Sequence, residues 1–118
     1  MTGAGSFLKT LLDGVTADET TSPAIDCVGL TALTVYVLGV GTTSSGVLTV
    51  EEAAWDDDKQ VDKSATWSSI TTVNASDATA GAYKAVHLTV ASYGFVRVRV
   101  STAIGGGGSI YVWLVGAP

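Results

Sequence analysis

Few side chains in this sequence can do chemistry, and their spacing does not bring them together. His87 is the single histidine, set between Val86 and Leu88, with Ala85 and Thr89 beside it at strand spacing. Nucleophilic catalysis needs a base next to a nucleophile and a third group to orient the base. None of these partners lies near His87 in sequence, so no catalytic residue is assigned and the chain reads as a non-enzyme. Cys27 is the single cysteine and reads as a small buried hydrophobe. One Cys and one His exclude a zinc centre, and one Cys excludes a disulfide framework within the chain. No cofactor is expected.

Carboxylates are dense at one place only, Glu51, Glu52, Asp56, Asp57, Asp58 and Asp62. Such a group could serve glycoside hydrolysis or supply oxygen ligands to calcium. The D-x-[DN]-x-[DN]-G spacing of a calcium loop is missing, and Lys59 and Lys63 interrupt the run. A solvated acidic loop without a metal is the expectation. Trp55, Trp67 and Trp113, with Tyr83, Tyr93 and Tyr111, could stack on sugar rings, or fill the core or a subunit interface. Gly105 to Gly108 lack the Lys-Ser/Thr of a phosphate loop and read as a flexible hairpin connection.

The elements that must position these groups are strands. The chain has 118 residues, 47% hydrophobic and 14% charged, which is the size of one domain. Its net charge of -5 has the wrong sign for neutralising phosphates, so no nucleic-acid partner is expected. No apolar run approaches the roughly 18 residues of a membrane span, and the N-terminus lacks a signal-peptide pattern. Neither a membrane partner nor export is expected. So few charges over so much apolar content point instead to self-association.

From Thr31 onward, apolar and polar residues alternate with period 2. Leu33, Val35 and Val37 alternate with Thr34, Tyr36 and Leu38; Val96, Val98 and Val100 alternate with Arg97, Arg99 and Ser101. SIYVWLV (109–115) is apolar at both parities, as in a strand covered on both sides. Short strands between Gly, Ser, Thr and Asp loops predict an all-β chain, a single sandwich or jelly roll of seven to eight antiparallel strands. Residues 1–12 are read as an arm or short helix, because Phe7, Leu8, Leu11 and Leu12 have helical spacing, and residues 13–118 as the sandwich.

The order GVLTVEE, acidic loop, TWSSI, then YGFVRVRVSTAIGGGGSIYVWLVG resembles the small β-sandwich virion proteins of tailed bacteriophages. The likeness covers roughly residues 45–116. It implies a virion component without catalysis, a head decoration or cement protein, made in the bacterial cytoplasm and bound to the major capsid protein. It implies a homo-oligomer, with a trimer expected. Phe7, Leu8, Leu11, Leu12, Arg97, Arg99, Tyr111 and Trp113 are the expected interface. The alternative is a carbohydrate-binding adhesion module in which exposed aromatics stack on sugars.

Overall fold

The computed structural model describes residues 7–27, 29–54, 66–89 and 94–117. They form eight strands: β1 (Phe7–Val15), β2 (Ile25–Asp26), β3 (Ala32–Val40), β4 (Ser45–Ala53), β5 (Ser68–Asn74), β6 (Tyr83–Thr89), β7 (Phe95–Gly105) and β8 (Ser109–Ala117). A 3₁₀ segment, Ala75–Gly81, joins β5 to β6. The strands make two four-stranded antiparallel sheets, ordered β1-β8-β3-β6 and β2-β7-β4-β5. β1 pairs with β8, β2 with β7, β3 with β6 and β4 with β5, like one long hairpin rolled onto itself. The two sheets together make an all-β sandwich.

The alternation read from sequence decides which side chains fill the space between the sheets. Val35 and Val37 of β3, Leu48 and Val50 of β4, Val96, Val98 and Val100 of β7, and Ile110, Val112 and Leu114 of β8 are fully buried. Each such side chain contributes about 1.5–3 kcal/mol relative to exposure. β-Branched residues dominate because they suit the pleat and lose little rotamer freedom in it.

The N-terminal expectation is corrected. Residues 7–12 are neither arm nor helix but the first part of β1, continuous with residues 13–15 and paired with β8 from Phe7 opposite Gly116 to Val15 opposite Ile110. The ladder shifts between Thr10 and Leu12. That extra residue lets two consecutive leucines, Leu11 and Leu12, both enter the core. A second shift falls at Gly14, whose φ of +69° is cheap only for glycine. Residues 1–6 lie outside the described residues.

Two loops are more ordered than their composition indicates. In the Asn74–Gly81 stretch, Ala75 and Ala78 are buried at one end of the sandwich, where the Thr43 hydroxyl donates to the Ala75 carbonyl at 2.9 Å. The glycine hairpin, read as flexible, is tied to the neighbouring loop: Gly108 N donates to Thr42 O at 2.7 Å and Ser44 N to Gly105 O at 2.9 Å. Gly106, at φ +107°, makes the turn. No helix among the described residues is long and apolar enough to cross a membrane.

Candidate functional site

Each sheet turns one face inward and leaves the other parity of its strands outside. On the β1-β8-β3-β6 sheet the register sets the outward residues in rows across the strands. Leu8, Val115, Thr34 and His87 form one row; Thr10, Trp113, Tyr36 and Ala85 the next; Asp13, Tyr111, Leu38 and Tyr83 the third. The middle of this face is apolar and aromatic. Tyr111 and Trp113, two residues apart on β8, have nearly parallel rings with centroids 6.4 Å apart; Tyr36 and Tyr83 meet at 6.0 Å with a tilt of 53°. A shallow recess of about 400 Å³ is lined by Leu8, Tyr36, Leu38, Tyr83, Trp113 and Val115. Leu8 and Tyr83 are each 65% exposed, unusual for large apolar side chains grouped in one patch. Its polar edge is small: the Thr34 hydroxyl and His87 Nδ1 share a hydrogen bond of 3.0 Å.

The outer face of the β2-β7-β4-β5 sheet has the opposite chemistry. Glu51 lies opposite Arg97 and diagonal to Arg99 across the β4–β7 ladder. Its buried carboxylate accepts from Arg97 Nε at 2.9 Å and from Arg99 Nε at 3.2 Å. Arg99 Nη1 also donates to Glu19 Oε1 at 3.1 Å. The Arg97 guanidinium lies 4.0 Å over the Trp67 ring, a cation–π contact. Beside them the Thr49 hydroxyl donates to Ser101 Oγ at 2.8 Å, and the Ser101 hydroxyl to the Val47 carbonyl at 3.1 Å. No buried side-chain nitrogen or oxygen among the described residues is left without a partner.

No protein-family model matches the chain, and no curated protein matches it. Among solved structures it is similar to the SPBc2 prophage-derived protein YomS, at 14% identity and a TM-score of 0.59, over 95% of this chain and 93% of that one. It is also similar to the PBSX exported protein XepA, at 15% identity and a TM-score of 0.57, over 94% of this chain but only 37% of XepA. What is shared is the fold.

The structure divides the residues expected at an interface. Leu8, Tyr111 and Trp113 meet on the apolar face, together with Tyr36, Leu38, Tyr83 and Val115. Leu11 and Leu12 do not join them; they are buried in their own core, so their expected grip on a partner is corrected. Arg97 and Arg99 belong to the other sheet, where Glu51 and Glu19 of the same chain engage their charge. The Phe7 side chain, Trp55, Tyr93 and the acidic residues Asp56, Asp57, Asp58 and Asp62 lie outside the described residues. Tyr36 and Leu38 were missed because only the buried parity of β3 was weighed, yet that strand, like β8, is apolar at both parities.

Cys27 sits in the core, its thiol donating to the Ile25 carbonyl at 3.3 Å. Burial, reinforced by the negative charge of Asp26, pushes the thiol up to about 11. It is therefore a thiol and not a thiolate at neutral pH, a poor nucleophile. Among the described residues no three His, Cys, Asp or Glu side chains group closely enough to hold a metal ion.

Proposed function

We propose that the chain is a non-enzymatic structural protein of a bacteriophage virion, a head decoration protein that works as a homo-oligomer bound to the major capsid protein. The observation that carries this is the outward apolar face built by Leu8, Tyr36, Leu38, Tyr83, Trp113 and Val115. Water against so many aromatic and aliphatic side chains is unfavourable, and covering them with another protein removes that cost. Repeating the contact over a capsid lattice lets weak individual contacts add. Two proteins of phage origin sharing the fold support the phage setting.

A second reading, a carbohydrate-binding module, is favoured by one observation, the grouping of Tyr36, Tyr83, Tyr111 and Trp113 on an outward face. The recess beside them weighs the other way: none of its six lining side chains is charged or carries an amide to hold sugar hydroxyls.

Phage particles purified on a density gradient test the proposal. The decoration reading expects the chain in fixed stoichiometry with the major capsid protein, and its loss from heads when Trp113→Glu replaces the wild type. A chain that stays in the soluble lysate fraction, or that travels with tails only, contradicts it.

A further inference from the structure

We infer that the apolar face of the β1-β8-β3-β6 sheet is occupied by a second copy of this chain, related by a two-fold axis parallel to the strands. The inference rests on the reading of the chain as an assembly protein and names the partner at that face.

Area comes first. Three of the four strands have nine residues and β6 has seven. At about 3.3 Å per residue and 4.8 Å between strands, the face measures roughly 30 by 19 Å, about 550 Å² per copy. Two copies face to face then bury on the order of 1,100 Å², close to the lower bound for a specific interface.

Complementarity fixes the orientation. A two-fold along the strands lays β1 of one copy over β6 of the other and β8 over β3. Trp113 then falls on Tyr36 of the second copy, and Tyr111 on Leu38, so large side chains meet smaller ones. The perpendicular two-fold would set Trp113 against Trp113. At one end of the face Asp13 is exposed on β1 and Tyr83 on β6, in one row of the register. The strand-parallel two-fold lays Asp13 of each copy on Tyr83 of the other, whose phenol hydroxyl can donate to the carboxylate, giving two reciprocal contacts at the rim, as an isologous contact requires. A ring of three would need two different sticky patches on every copy. The described surface offers one apolar sheet face, since the other is polar and closed by its own ion pairs. Pairs, rather than the trimer expected from sequence, follow from that.

Light scattering and sedimentation equilibrium of the full chain test this. The wild type is expected at twice the chain mass at micromolar concentration. Tyr83→Asp, at an exposed position, should give the single-chain mass with an unchanged far-ultraviolet circular dichroism spectrum. Tyr83→Phe, which removes the hydroxyl that faces Asp13, should weaken the pair severalfold. A wild-type monomer at about a hundred micromolar, or an oligomer indifferent to Tyr83→Asp, would each overturn the inference. Monomers that nonetheless copurify with phage heads would overturn it while leaving the virion reading intact. Pairs absent from purified particles would do the reverse.

Discussion

Arg97, Arg99 and Glu51 on the outside of one sheet satisfy one another, whereas Tyr36, Tyr83, Tyr111 and Trp113 on the outside of the other meet in two ring pairs and face outward. Both faces come from strands of the same alternation, over one core and in one fold. They differ in where their energetics close. The polar face is completed within the chain, through cross-strand pairs that link β4 to β7 and the β1–β2 connection to β7. The aromatic face has no such closure within the chain, and on the proposed reading a second copy supplies it. Substitutions on the first should therefore be felt in folding, and substitutions on the second in association.

The core beneath both faces sets the upper scale: Val98→Asp puts an unpaired charge between the sheets and should cost about 4–5 kcal/mol, enough to leave the chain largely unfolded in a urea titration. A Val98→Asp protein melting like the wild type would remove the core on which both faces are built. On the closed face, Glu51→Ala leaves half-buried Arg97 without its carboxylate and Arg99 with Glu19 alone, and should cost about 2–3 kcal/mol, read as a lower urea midpoint at unchanged slope. Replacing Glu51, Arg97 and Arg99 together by Leu, Met and Met should recover most of that loss, because the only carboxylate that then loses a partner, Glu19, is exposed to water.

The Cys27 thiol gives a pH-dependent check on the interior. Its value is raised in the folded state, to about 11 from 9.0, so its stabilisation is complete below pH 9 and fades as pH rises through 11. On the order of 2 kcal/mol of stability should disappear across that window and stay flat in Cys27→Ala. If both proteins lose stability equally, the thiol is not the cause. The smallest effect on folding belongs to the open face. Tyr83→Ser and Leu8→Ser should change unfolding free energy by no more than about 0.5 kcal/mol under conditions where the chain is dissociated, while weakening association severalfold. A large loss of stability in those variants would put the aromatic face among the determinants of the fold.

Much of the architecture was legible because period-2 alternation is a local signal. Val96, Val98 and Val100 lie inside and Arg97 and Arg99 outside, as spacing alone requires. Two features hid the rest. The Leu11–Leu12 pair looks helical because a strand rarely turns two consecutive side chains inward; here a bulge does so, and a bulge appears only in the ladder with β8. The partners of the arginines are distant in sequence, Glu51 by 46 residues from Arg97 and Glu19 by 80 from Arg99. No window of local sequence joins them. The aromatic face was half visible for the same reason: Leu8, Tyr36, Tyr83 and Trp113 come from four different strands, and only the winding order makes them neighbours.

The central claim, that one outer face is covered in the working assembly and the other is not, is tested most directly by hydroxyl-radical footprinting of the chain. The same protein is compared in its associated and its dilute, dissociated state. Tyr36, Tyr83, Tyr111 and Trp113 are predicted to lose most of their labelling on association, while Trp67, beneath Arg97 on the opposite sheet, keeps its rate. Equal labelling of the four aromatic residues in both states, or protection of Trp67 instead, would contradict the account.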